Sequence, residues 1–77
     1  MDQKIKLIWD FRGPDAQAFA EHHAVHLKEF AIKEKLSLNE TECLCETEGH
    51  WVACLFVTEN EMIVVRDALR PHRGVLA

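Results

Sequence analysis

PDAQAFAEHHAVHLKEFAIKEKL, residues 14–36, is the longest uninterrupted helical pattern in the chain. Gly13-Pro14-Asp15 supplies its start. Proline is tolerated at a first helical position, and an acidic residue suits the positive end of the helix dipole. Lys33 and Lys35 stand near the other end, where cations are favoured, and Ser37 and Asn39 break the run. Between these ends lie good helix formers with no Gly or Pro. At ~100° per residue, Ala16, Phe19, Ala20, His23, Leu27 and Phe30 fall on one face, which is expected to lie on a sheet. A thinner apolar stripe, Ala18, Val25, Ile32 and Leu36, runs down the far side and hints at a partner surface.

Upstream, residues 3–12 (QKIKLIWDFR) alternate. Ile5, Leu7, Trp9 and Phe11 point one way; Lys4, Lys6, Ile8, Asp10 and Arg12 point the other. This is a strand with one buried face. Downstream, Thr41 to Thr47 and His50 to Thr58 read as two strands joined at Glu48-Gly49, a hairpin signal. Regular pairing across a two-residue loop sets Cys43, Cys45, Thr47, His50, Val52, Cys54 and Phe56 on one face. Glu42, Leu44, Glu46, Trp51, Ala53, Leu55 and Val57 then share the other. The cysteines are expected to face the helices, because free cysteine behaves as a small buried hydrophobe. Thr58 with Glu61 three residues later fits a capping box for a second helix. Met62, Val65 and Leu69, with Ala68 beside them, form its inner stripe, and Pro71 stops it. Gly74 to Ala77 offers a short last strand.

The order is β-α-β-β-α with a possible final β, the layout of a ferredoxin-like split βαβ unit in the α+β class. One domain is expected over residues 1–77. In that layout both helices cover one face of an antiparallel sheet. The open face is expected to carry Ile8, Leu44, Trp51, Leu55 and Val57, and to be a dimer interface.

In element order, and in the histidines of Phe19-x-x-His22-His23-x-x-His26, the chain resembles the dimeric α/β-barrel superfamily, small ferredoxin-like domains that pair sheet to sheet. The resemblance implies a homodimer. It does not choose a function, because that superfamily holds monooxygenases, isomerases, dehydratase-like enzymes and proteins without known activity.

Size points the same way. A chain of 77 residues buries only about 60% of its unfolded surface, yet 48% of its residues are hydrophobic. That is more apolar surface than one small core hides. The net charge of −4 argues against nucleic acid or an anionic membrane as the main partner. No apolar run resembles a signal peptide or a membrane span. Three cysteines without a CxxC spacing suit reduced thiols in the cytoplasm.

The histidines carry the candidate chemistry. His23 lies in the middle of the helix face and His26 at its edge. Either could act as general acid/base on a small organic substrate, because a histidine titrates near working pH. Asp10 and Glu21 are possible orienting carboxylates. Asp10, Arg12 and His22 are the accompanying ligand-binding candidates. The bland alternative for His23 is a hydrogen-bonded core histidine. His22 and His26, four residues apart, could reach one metal, but a third ligand would have to come from elsewhere, and solvated rings are the simpler reading. Cys43, Cys45, Cys54 and His50 could meet on one face; inert buried thiols are preferred. No metal or cofactor is assigned. Arg66, Arg70, His72 and Arg73 form a basic end, read as helix capping or as a site for a small anion. The leading expectation is a cytosolic homodimeric ligand-binding or assembly domain, ahead of a dimeric α/β-barrel-type enzyme and, third, a metal-binding protein.

Overall fold

The computed structural model describes residues 3–77; Met1 and Asp2, part of the span read as one domain, lie outside the described residues. The elements run β1 (Lys4–Arg12), α1 (Ala16–Lys33), β2 (Thr41–Thr47), β3 (His50–Thr58), α2 (Glu59–Leu69) and β4 (Arg73–Leu76). The sheet order is β2-β3-β1-β4, and every neighbouring pair is antiparallel. This is the ferredoxin-like split βαβ layout of an α+β fold. The expected short last strand is present as β4.

Small residues let α1 approach the sheet. Ala16, Ala20, Leu27 and Ala31 are its buried positions, while His23, Ala24 and Phe30 are half-buried. Phe19, expected on this face, is 61% exposed. The helix is turned so that its alanines and Leu27 meet the sheet, which leaves Phe19 on the flank. Val25 and Ile32 of the far stripe are exposed as expected. Glycine frees the corner before α1. Gly13 takes φ +109°, and its N–H donates to the Gly49 carbonyl at 2.9 Å, tying the end of β1 to the hairpin turn. At the far end Leu36 N–H bonds Ala31 O at 2.9 Å and Lys35 N–H bonds Ile32 O at 3.1 Å, with Lys35 at φ 56°. That is a Schellman stop built on a lysine where glycine is usual.

The main core lies between helices and sheet. It joins Ile5, Leu7 and Trp9 of β1, Ala53, Leu55 and Val57 of β3, the buried face of α1, and Val65 of α2. Trp51, Leu55 and Val57 therefore pack beneath the helices, not on the open face where the sequence reading put them. The cause is a β-bulge. Thr47 pairs with His50 as expected, but Cys45 then pairs with Trp51 and Cys43 with Ala53, a shift between Cys45 and Thr47. One extra residue on β2, Glu46, exchanges the faces of the two strands relative to each other. Leu44 and Ile8 remain on the open side, joined there by Val52, Cys54 and Phe56 in place of the three residues that moved. Ile8, Val52 and Cys54 form a second, smaller cluster.

Thr58 caps α2 with extended backbone but makes no side-chain cap bond. Its expected partner Glu61 accepts the Ser37 N–H at 2.8 Å and the Ser37 hydroxyl at 3.1 Å, clasping the α1–β2 connection; against the opposing effect of burial, Ser37 and then Thr58 hold its carboxyl below the ordinary value. No helix among the described residues is long and apolar enough to cross a membrane.

Candidate functional site

The histidines divide between the two sides of the sheet. On the helix side, β1 presents its odd residues, and the rings of Trp9 and Phe11 lie 5.2 Å and 5.5 Å from the His23 ring, both tilted by 58°. The Trp9 indole N–H donates to the Leu69 carbonyl at the end of α2, at 3.0 Å. His23 Nε2 is buried and has no hydrogen-bond partner. Burial, then the neighbouring His26, His72 and His22, push the pKa of His23 below the ordinary histidine value. The ring is therefore neutral at neutral pH, held against two aromatic rings.

Asp10 and Glu21 do not orient it. Asp10 is an even residue of β1, so its carboxylate lies across the sheet from His23. It accepts Arg73 Nη2 at 2.9 Å and Arg73 Nε at 3.2 Å, and contacts His50 Nε2 at 2.8 Å. The Asp10 backbone N–H donates to His72 Nδ1 at 2.7 Å, which fixes Nδ1 as the lone-pair nitrogen of that ring. The Arg73 guanidinium holds the Asp10 carboxyl below its usual range; burial opposes this, and His50 adds to the lowering. Both carboxylate oxygens are engaged, so the cluster positions the end of β1 against β4 and the hairpin turn. The strand alternation already carried this signal, because it set Asp10 opposite Trp9 and Phe11. Arg12, beyond this cluster, is exposed at the end of β1 beside His50.

The bulge also disperses the thiols. All three are free. Cys43 packs at the edge of the main core, Cys45 is exposed, and Cys54 is fully buried on the open face. The expectation that all three face the helices fails for Cys54, and that of burial fails for Cys45. Burial pushes the Cys54 thiol up to about 11 and raises that of Cys43 less far. Among the described residues no group of three or more His, Cys, Asp and Glu side chains is placed to hold a metal ion.

His22 and His26 come together on the outer flank of α1. Their Nε2 atoms are 2.9 Å apart, and His26 Nδ1 lies 3.2 Å from Glu29 Oε1. Of the basic end, Arg66 and Arg73 line a cavity of ≈370 Å³ between α2 and β4, walled by Ile5, Leu7, Met62 and Leu76, whereas Arg70 and His72 do not. Gly74, without a side chain, faces Leu7 at its floor. The chain matches no protein-family model, no curated protein and no solved structure.

Proposed function

We propose that the chain is a small assembly domain that pairs with a second copy of itself through the open face of its sheet. The carrying observation is one row across that face. Glu42 pairs with Cys54, Cys54's other neighbour is Ile8, and Ile8 pairs with Arg73. The row reads acid, apolar, apolar, base. A two-fold axis parallel to the strands lays such a row on its own reverse. Glu42 then faces the partner's Arg73, and the Cys54 position, already covered by its longer neighbours within each chain, lies opposite the partner's Ile8. A two-fold interface has to be self-complementary, and this row is. Leu44 and Val75, 41% and 44% exposed at the two edges of the face, supply apolar surface that association would cover. The dimeric α/β-barrel superfamily, which the chain resembles in element order, also pairs sheet to sheet.

The face is also charged. Lys4–Glu40 and Lys6–Glu42 bridge it at 2.9 Å and 3.3 Å, so pairing desolvates ions and is expected to be wet and sensitive to salt. A small-molecule site has its own support in the cavity between α2 and β4, whose volume falls at the small end of the ~300–1,000 Å³ of ligand pockets. The enzyme reading has less. His23 has no carboxylate partner, and the histidine–carboxylate contacts lie elsewhere.

Sedimentation tests the proposal. The wild type is expected to run as a dimer at tens of micromolar, and Leu44→Glu and Val75→Glu as folded monomers. These positions are chosen because they are exposed in the single chain, so a charge there does not unfold it. A wild type that remains monomeric at that concentration, or variants that remain dimeric, would overturn it.

A further inference from the structure

From the His22–His26 pair we infer a surface site for one divalent transition-metal ion, with Cu²⁺ as the tightest ligand. The spacing of four residues puts both rings on one flank of α1, where their Nε2 atoms meet in a hydrogen bond that an ion can replace. The Nε2 atoms are 2.9 Å apart and the ring centres 4.4 Å apart, at 71°. Two rings pointing straight at each other in a linear hydrogen bond of that length would have centres about 5.2 Å apart. Two imidazoles bound at 90° to one ion, each at ~2.05 Å, have nitrogens about 2.9 Å and ring centres about 4.5 Å apart. The observed pair fits the second arrangement. A tetrahedral ion would need nitrogens about 3.3 Å apart, a small opening of the pair, and Cu²⁺ heads the affinity order of divalent ions for imidazole in either geometry.

Glu29 completes the arrangement from behind. Its carboxylate is 3.2 Å from His26 Nδ1. A carboxylate at that distance favours a proton on Nδ1, which would leave Nε2 as the lone-pair nitrogen toward an ion, the role of a carboxylate behind a metal-bound histidine. His26 and Glu29 side chains are 59% and 68% exposed, so an ion can reach the pair from solvent, and solvent would fill its remaining positions. The site is separate from the open sheet face and stands whether or not the chain dimerises.

Untagged, metal-free protein titrated with CuCl₂ near neutral pH tests this by calorimetry and electron paramagnetic resonance. One Cu²⁺ per chain is expected, with nitrogen hyperfine structure from two imidazoles. His22→Ala or His26→Ala should each weaken binding at least tenfold, and Glu29→Gln roughly tenfold. Both histidines are exposed and alanine is the better helix former, so these variants fold. Bridging positions i and i+4 also staples the helix, so saturating Cu²⁺ should raise the Tm of wild type and not of the double variant. The site is wrong if the His22→Ala/His26→Ala protein binds Cu²⁺ as tightly as wild type, which would place the ion on His23, His50 or His72. It is equally wrong if wild type shows no binding at micromolar Cu²⁺.

Discussion

The two faces of the sheet are closed by different means. On one, Leu7, Trp9, Ala53, Leu55 and Val57 are covered by helices and make a dry core. On the other, Ile8, Val52 and Cys54 are as deeply buried, at 6%, 0% and 0% exposure, with no helix above them. Longer neighbours tile that side. Lys6 reaches Glu42, Lys4 reaches Glu40, Arg73 reaches Asp10, and both lysines lie over the Phe56 ring at 5.8 Å and 4.7 Å. The lesson is that an uncovered sheet face need not be greasy. Lysine and arginine stems hide small apolar groups while their charges stay in water.

A glutamate placed on each face separates the two means most sharply. Leu55→Glu buries a charge among apolar groups and should cost about 3–5 kcal/mol. That is much of the roughly 4–12 kcal/mol that a domain of this size holds, so circular dichroism should find it largely unfolded. Leu44→Glu should change stability by about 0.5 kcal/mol or less, because the site is already half in water. Equal melting of the two variants would mean that the bulge at Glu46, and with it the face assignment, is wrong.

Thiol labelling follows the same division. Cys54 has no exposed surface and a thiol pushed up to about 11, whereas Cys45 is exposed on the edge strand. Cys45 is expected to react at least ~100-fold faster with a maleimide under native conditions, and urea should remove the difference. Comparable native rates would show that the ionic tiling does not exclude solvent.

The faces should also respond to acid in separate windows. His23 has a lowered folded pKa, so the unfolded chain binds a proton first. Stability is then expected to fall as pH drops below about 6.5 toward the folded value, and His23→Gln should flatten that slope. Asp10 is also lowered, by Arg73 first. Its contribution is present above the unfolded value near 3.8 and is lost as pH falls through the folded one, and Asp10→Asn should remove about 1–3 kcal/mol at neutral pH. Denaturant melts across pH check both; a His23→Gln profile parallel to wild type would mean that burial does not lower that ring's pKa.

The order of elements was legible because each has its own period: two in Lys4–Arg12, near 3.6 in Ala16–Lys33, and turn residues between. So was the meeting of His22 and His26, which follows from helical spacing alone. The pairing of β2 with β3 was not. No glycine or proline marks the bulge at Glu46, and a one-residue slip reverses every side chain beyond it. The partners of Asp10 were hidden for a different reason. Arg73 and His72 are more than sixty residues away, and only the pairing of β4 with β1 brings them to the same edge.

The light attachment of α2 sets an order of opening. Val65 is its one buried residue; Met62 and Leu69 are half-buried, and α2 makes no close approach to α1. Beyond packing it is held by the Ser37–Glu61 clasp, the Trp9–Leu69 hydrogen bond and, at its first residue, the Glu59 N–H on the Gln3 carbonyl at 2.9 Å. Freeing it exposes little apolar surface, so α2 can come away with β4 while α1 and β3 stay folded. Amide hydrogens of residues 61–69 should then exchange with solvent well before those of residues 52–57, whose release requires the whole domain to open.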